Sequence, residues 1–181
     1  EIGRYLSGHV EDHRTSRRDD IITHLLDVRM ADGRALGDPE ILGVCILLLL
    51  AGIDTTWSAI GASRLHLAAH PDDRRRLIDE PGLINSATEE FLRVFAPVTM
   101  AREVIEDTVV GGCPMKKGDR VLLPFPAGNR DPDVFDQPDQ VTLDREVNRH
   151  FAFGVGIHRC LGSNLARMEL RVTIQAWLDR I

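Results

Sequence analysis

One glycine-rich segment contains a cysteine that directly precedes a predicted helix. The segment reads Phe-Ala-Phe-Gly-Val-Gly-Ile-His-Arg-Cys-Leu-Gly and runs from Phe151 to Gly162. The positive end of a helix dipole stabilises a thiolate at Cys160, and a thiolate is a good ligand for iron. Glycines at Gly154, Gly156 and Gly162 let the backbone approach something large and flat. The alternative is a buried free cysteine in a turn, but the order of residues is too particular to favour it.

Two other functional motifs do not fit this segment. A dinucleotide-binding loop needs a third glycine where Arg159 stands. A nucleophile elbow around Ser163 needs a glycine where Leu165 stands. His158 and Arg159 instead offer positive or hydrogen-bonding groups to an anionic edge of a ligand. The segment therefore predicts a ligand-binding loop around Cys160.

A second group of candidates lies in the middle of a strongly apolar helix, over Ala51-Gly-Ile-Asp-Thr-Thr56. Burying a carboxylate and hydroxyls there costs free energy unless they are bonded or used, and Gly52 permits a local bulge or kink. Asp54 and Thr55 then form an acid and an alcohol beside a small polar notch, which suits proton delivery to a small molecule such as dioxygen. The alternative is a threonine bonded back to the preceding turn and an aspartate that faces solvent.

Other charged residues have a plainer interpretation from spacing alone. Glu90 and Arg93 share a helix face at i and i+3, and such a surface pair contributes only tenths of a kcal/mol. Arg102 follows a helix break at Pro97 and is a candidate anion ligand on a strand, although by itself it resembles any surface arginine. Arg145 reads alone as a loop residue.

The hydrophobic pattern places these residues on a mainly helical framework. It predicts one long helix over about 38 to 69, opened by Asp38 and Pro39, with an apolar first half that should be buried. Further helices are predicted over 1–13, 20–30, 71–79, 85–95 and 163–180, with β-prone runs over 98–110 and 120–125 and a loop over 127–148. The expected fold class is mainly α with a small β component.

The composition excludes several classes of protein. The chain has 181 residues and a formal net charge of -6, which makes it a poor general binder of nucleic acid. Three cysteines do not make a disulfide framework. No signal peptide is visible, and the longest apolar run, Ile41 to Ile53, is too short to span a bilayer. We therefore expect a cytoplasmic protein with no membrane span.

Taken in order, from about Asp19 to Ile181, these motifs resemble the C-terminal half of a cytochrome P450, a haem-thiolate monooxygenase. The cysteine loop is the highly specific part, and the other motifs gain weight from their order and spacing. The resemblance implies the cytochrome P450 fold and a haem b cofactor. Since the chain has no initiator Met and its last helical pattern still runs at Ile181, residues 1–181 are expected to be the C-terminal part of a single haem domain, with the N-terminal half and extreme C-terminus absent.

The resemblance also implies a role for each candidate residue. Cys160 becomes the proximal ligand of the haem iron, while Asp54 and Thr55 route protons to dioxygen, for which Gly52 leaves room. Glu90, Arg93 and Arg145 become a buried structural cluster behind the haem, which reverses the surface interpretation. The remaining haem-binding and pocket residues are implied to be Arg102 and His158 at the propionates, Phe153 near the thiolate, Gly154, Gly156 and Gly162 in the loop, and Ala51, Leu47 and Val98 to Met100 on the substrate-pocket walls.

The implied activity is insertion of one atom of dioxygen into a small, mainly apolar organic substrate with electrons from a redox partner. Segments around Ile53 and Ser163 resemble a bacterial subgroup often fused to a flavin and iron–sulfur reductase, so the partner is either such a fused reductase or a ferredoxin or flavodoxin system. Two alternatives stay open. One is a peroxide-driven haem-thiolate hydroxylase, whose members tend to lack the acid–alcohol pair. The other is a haem-free, inactive fragment or scaffold, and the isolated chain is expected to be inactive.

Overall fold

The computed structural model describes all residues from Glu1 to Ile181, which divide into two compact units, Glu1–Asp54 and Thr55–Ile181. The helices are α1 (Ile2–Thr15), α2 (Ile21–Asp27), α3 (Asp38–Ala69), α4 (Pro71–Asp79), α5 (Ile84–Val94), α6 (Phe125–Gly128) and α7 (Ser163–Leu178). The strands are β1 (Thr99–Glu103), β2 (Thr108–Val110), β3 (Cys113–Met115) and β4 (Arg120–Pro124). β1 pairs with β4 and β2 with β3, both antiparallel. The prediction of a mainly helical fold with a small β component is confirmed.

Helix α2, in the first unit, is shorter than its predicted span of 20–30. Asp20 caps its start, since one carboxylate oxygen accepts a hydrogen bond from the Thr23 backbone N–H at 3.0 Å. The helix ends at Asp27 because the chain then folds into a tight turn, in which the Met30 N–H donates to the Arg34 carbonyl at 2.8 Å. Gly33 supplies the positive φ of 84° that this turn requires.

Helix α3 spans the predicted residues and runs without a break through Gly52. The expectation that its first half is buried is wrong for this chain. Leu47, Leu50 and Ile53 are 63%, 59% and 54% exposed, because no element of the first unit covers the middle of the helix. By length and composition alone α3 could cross a membrane, with 11% of its most apolar window buried, but the core helix of a soluble protein has the same length and composition.

The second unit has its core around α5. The end of α3, α4, α5 and α7 contribute to one apolar cluster, which includes Leu67, Leu77, Phe91 and Ile174. A smaller cluster joins Leu92 of α5 with Leu170 of α7 and the chain ahead of the cysteine loop. Because α5 is almost entirely buried over its last two turns, its polar side chains must find partners inside the protein.

Candidate functional site

Cys160 lies at the end of a tight loop immediately before α7. Its thiol is free and exposed, and its backbone N–H donates to the carbonyl of Phe153 at 2.8 Å, which closes the loop. Gly154 and Gly156 both have a φ of 68°, in the left-handed region that favours glycine. Gly162 has a φ of -81°, which residues other than glycine also adopt. The loop geometry thus explains two of the three glycines.

The loop that carries the exposed thiol also carries large apolar side chains that are exposed. Ile157 is 97% exposed, Leu161 is 89% exposed and Val155 is 73% exposed. An apolar patch of this kind on a soluble protein marks a surface that something else covers. The thiol therefore lies in surroundings suited to an apolar ligand.

Two of the predicted ligands for an anionic edge are exposed and have no carboxylate partner in the chain. Arg102 lies on β1, where its guanidinium donates to the neighbouring Ala101 carbonyl at 2.9 Å. His158 closes a single 3-10 turn over Gly156–His158, within the cysteine loop. Both side chains remain able to bind an anion, because neither is engaged in an ion pair.

The predicted acid and alcohol lie next to each other in the middle of α3. Asp54 is exposed and Thr55 is half-buried, while Ala51 and Gly52 are exposed on the preceding turn. A Cβ atom added to Gly52 would meet nothing within 4 Å outside the helix's own backbone. The helix is continuous here, so the predicted notch consists of missing side-chain bulk and not of a kink.

Glu90, Arg93 and Arg145 form one ion cluster in the second unit. Arg93 and Glu90 have 0% exposed side chains, with the Arg93 Nη2 atom 2.8 Å from Glu90 Oε1 and its Nε atom 2.9 Å from Glu90 Oε2. The remaining Arg93 N–H groups donate to the carbonyls of Asn129, Pro138 and Gln140 at 2.6 to 2.8 Å. All five N–H donors of the guanidinium are thereby satisfied, and the irregular chain after α6 is fixed to α5.

The Glu90 carboxylate accepts three further hydrogen bonds. They come from Arg145 Nε at 2.9 Å, the Thr142 backbone N–H at 2.9 Å and Asn148 Nδ2 at 3.0 Å. Burial raises the pKa of this carboxyl, but hydrogen bonds from Arg93, Arg145 and Thr142 outweigh it and leave the pKa below its usual range. The cluster is therefore ionised and structural in character.

Asn129 lies within the predicted loop over 127–148, yet it is fully buried and joins two parts of the site. Its Nδ2 donates to the Arg93 carbonyl at 3.2 Å, and its Oδ1 accepts from the Phe151 backbone N–H at 2.9 Å. Gly128 lies so close to Phe151 that a Cβ atom there would be 2.2 Å from the Cζ atom of the ring. The local sequence around Gly128 and Asn129 does not predict these contacts, because Arg93 and Phe151 lie more than twenty residues away.

A second polar cluster, also not foreseen, connects α5 with α7 and the start of the cysteine loop. Arg167 donates to Glu89 twice, from Nε to Oε1 at 2.7 Å and from Nη2 to Oε2 at 2.8 Å. His150 Nε2 lies 3.0 Å from Glu89 Oε2. Burial raises the pKa of Glu89, but hydrogen bonds from His150 and Arg167, together with the charge of Arg167, lower it to about 2. Neither Glu89 nor Arg167 has a sequence neighbour that predicts this pairing.

Comparison with known proteins identifies the family. The family described as Cytochrome P450 matches residues 2–82 and 82–180, so the chain belongs to the cytochrome P450 family. The chain is 42% identical to a vitamin D(3) 25-hydroxylase of Pseudonocardia autotrophica over 94% of its own length and 43% of that protein.

Solved structures agree with the family assignment. The chain matches the cytochrome P450 PksS of Bacillus subtilis with a TM-score of 0.93 and 36% identity, covering 99% of the chain and 46% of PksS. It matches CYP109E1 of Bacillus megaterium in complex with testosterone with a TM-score of 0.93 and 38% identity, covering 99% of the chain and 50% of that structure. The chain thus spans half or less of the length of these relatives.

Membership of this family implies a haem cofactor, and the residues around Cys160 fit such a group. The site offers one soft, unpaired thiol ahead of a helix N-terminus, which is the donor that a haem iron accepts in this class. The exposed Ile157 and Leu161 side chains suit the apolar macrocycle, and the unpaired Arg102 suits its carboxylate edge.

Proposed function

We propose that this chain carries the thiolate side and the proton-delivery helix of a haem-thiolate monooxygenase. The main support for the proposal is the exposed, free thiol of Cys160. It lies in a loop that contains two glycines with positive φ and several exposed apolar side chains. Cys160 is the axial ligand of haem b in this proposal. When bound, haem supplies the redox-active iron at which dioxygen is reduced.

Within the proposal, the loop residues hold the group in place. Cys160 presents its sulfur just ahead of α7, and Ile157 and Leu161 exclude water from it. Arg102 and His158 bind the carboxylate edge, with Phe153 packed beside the ligating residue. Gly154, Gly156 and Gly162 leave the loop backbone free of side chains on the cofactor side.

Asp54 and Thr55 are proposed as the pair that holds and moves the protons needed for dioxygen reduction. A hydroxyl both donates and accepts a hydrogen bond, so Thr55 passes on a proton that the neighbouring carboxyl provides. Ala51 and Gly52 carry almost no side-chain bulk on the preceding turn, which leaves room for a small molecule. This role depends on residue chemistry and on the family pattern.

The proposed substrate class is a small, mainly apolar organic molecule. The relatives include a protein named vitamin D(3) 25-hydroxylase and structures of CYP109E1 with testosterone and with corticosterone. The wall residues assigned from the family pattern are apolar, with Leu47 and Met100 63% and 39% exposed in this chain. Binding of an apolar ligand would remove these exposed apolar side chains from water, which lowers the free energy.

Electrons are proposed to come from a separate or fused redox partner, in a cytoplasmic setting. All the relatives described above are bacterial. The apolar α3 helix is proposed to be a core helix covered by the remainder of the domain, since its middle carries Asp54 and two threonines, which favour a site over a membrane span. Recovery of the chain in the membrane fraction after carbonate washing would contradict this interpretation.

Isotope labelling tests the activity. The haem-loaded protein, expressed with the rest of its haem domain, is supplied with a ferredoxin, its reductase and a panel of apolar substrates under labelled dioxygen. The proposal expects one labelled oxygen atom in the product and its loss when the reductase is omitted. If label instead enters only from labelled hydrogen peroxide, without reductase, the enzyme is the peroxide-driven hydroxylase. If the chain shows no saturable change in the haem spectrum on titration, it is the haem-free fragment.

A further inference from the structure

We propose that Arg167 is a positioning residue for the proximal loop, acting through Phe153 on Cys160, with Glu89 as its anchor. The inference rests on the proposed function, because the loop matters as the support of a metal ligand. It concerns a different set of residues from the Glu90, Arg93 and Arg145 cluster. Four contacts within the second unit connect Glu89 with Cys160.

The first contact fixes the guanidinium of Arg167. Both Glu89 oxygens accept from it, at 2.7 and 2.8 Å, in the paired geometry that only arginine provides. Glu89 lies on α5, whose last two turns are the most buried part of the unit, so its backbone is a rigid support. The side chains of Glu89 and Arg167 are 30% and 21% exposed, which protects the pair from solvent screening.

The second contact fixes the carboxylate itself. His150 has a 3% exposed side chain, and its Nδ1 atom accepts from the Ala152 backbone N–H at 3.2 Å. That bond leaves the proton on Nε2, which donates to Glu89 Oε2 at 3.0 Å. His150 and Arg167 therefore both donate to Glu89 Oε2, and together they fix the orientation of this carboxylate.

The third contact places the anchored guanidinium of Arg167 against the ring of Phe153. The Arg167 Cζ atom lies 4.6 Å from the centroid of the Phe153 ring, within the range of a cation–π interaction. The His150 ring centroid lies 6.2 Å from the same ring. A cavity of about 320 Å³ adjoins Phe153 and Arg167, so apolar packing alone does not hold the ring on that side.

The fourth contact reaches the ligating residue. The carbonyl of Phe153 accepts the backbone N–H of Cys160 at 2.8 Å, so a displaced Phe153 moves the anchor of the cysteine. The geometry makes Arg167 an indirect support of the thiolate, without contact with the cofactor.

Spectroscopy of the haem-loaded protein tests this role. The measured quantity is the rate at which the reduced carbon monoxide complex loses the red-shifted Soret band of thiolate ligation, at a temperature where circular dichroism shows each variant fully folded. We expect Arg167→Gln and Arg167→Lys to lose the band about 5-fold faster than wild type, because neither keeps both the paired bonds and the ring contact. The matched control is Arg171→Gln, one turn further along α7 and outside these contacts, which should behave as wild type.

A double-mutant cycle identifies Phe153 as the intermediary. Phe153→Leu is expected to speed loss of the band, and Arg167→Lys with Phe153→Leu should add little to either single change. Wild-type kinetics in Arg167→Lys would show that charge alone suffices and would overturn the inference, as would fully additive effects in the cycle. If wild type itself lacks the thiolate-type band, it is the proposed function that fails, and the two failures are thus distinguished.

Discussion

Glu89 and Glu90 are consecutive residues of α5, yet their carboxylates bind opposite parts of the second unit. Glu90 Oε2 lies 2.9 Å from Arg145 Nε, in the irregular chain ahead of the cysteine loop. Glu89 Oε1 lies 2.7 Å from Arg167 Nε, on the helix that follows Cys160. Because side chains one residue apart point about 100° away from each other around a helix, one turn of α5 holds the chain on both sides of the cysteine.

Replacement of Arg93 by lysine is expected to destabilise the protein severely. Lysine keeps the charge but has three N–H donors in place of five, so it leaves the Glu90 carboxylate or the bound loop carbonyls unpaired in a fully buried site. Breaking a buried ion pair costs about 3–5 kcal/mol. Urea unfolding should show a loss of this size, whereas Arg75→Lys, in an ion pair with Asp72 that is 68% and 91% exposed, should cost less than about 1 kcal/mol.

Acid should remove the contribution of Glu89 to stability. Its pKa is about 2 when folded, against 4.5 for an unperturbed carboxyl, so its contribution is complete above pH 4.5 and disappears as the pH falls towards 2. The difference in unfolding free energy between wild type and Glu89→Gln should therefore shrink over that range. Glu106→Gln, at an exposed position of the chain, is the control for the loss of one carboxylate. A difference that stays constant down to pH 2 would contradict the ion-pair assignment.

A methyl group at position 128 should disturb the start of the cysteine loop. The added Cβ of Gly128→Ala would be 2.2 Å from the Phe151 ring, which also packs edge-on against Phe125 with centroids 5.6 Å apart. Overpacking of this kind costs about 1–3 kcal/mol. Gly82→Ala meets nothing within 4 Å and is the control. Introducing Gly128→Ala into a Phe151→Leu background should cost much less, and an equal cost in both backgrounds would refute the steric explanation.

Loss of the Thr55 hydroxyl should uncouple electron use from product formation. Thr55→Ala is expected to consume reducing equivalents while releasing hydrogen peroxide in place of much of the product, because the proton route through the hydroxyl is gone. Thr55→Ser keeps the hydroxyl and should stay close to wild type. The measurement is peroxide and product formed per reducing equivalent. Full coupling in Thr55→Ala would refute the proton role.

The sequence predicted most elements but not the long-range partners. The bounds of α3 and α4 follow from local signals, namely Asp38 with Pro39 and Pro71, and the structure agrees at both. Spacing showed that Glu90 and Arg93 share a helix face, but it could not show that the pair is buried. Their burial depends on carbonyls some forty residues away in a loop without periodicity. Only the family resemblance indicated the cluster.

The expectation for α3 failed for a related reason. An apolar helix predicts burial, but burial requires neighbouring elements, and the chain spans half or less of the relatives it matches. Glu89, His150 and Arg167 were missed because His150 and Arg167 lie 61 and 78 residues from Glu89 in the sequence. The motif around Cys160 was found because its chemistry is local: a thiol, two glycines with positive φ and a helix start lie within ten residues.

Cys160 is assigned here as the thiolate ligand of the haem iron, and the spectrum of the reduced carbon monoxide complex tests this assignment. The haem-loaded protein is reduced under carbon monoxide and compared with its Cys160→Ser variant, with Cys113→Ser as the control, since Cys113 is also an exposed free cysteine. We expect a red-shifted Soret band in wild type and in Cys113→Ser, and loss of this band in Cys160→Ser. An unchanged red-shifted band in Cys160→Ser would contradict the assignment.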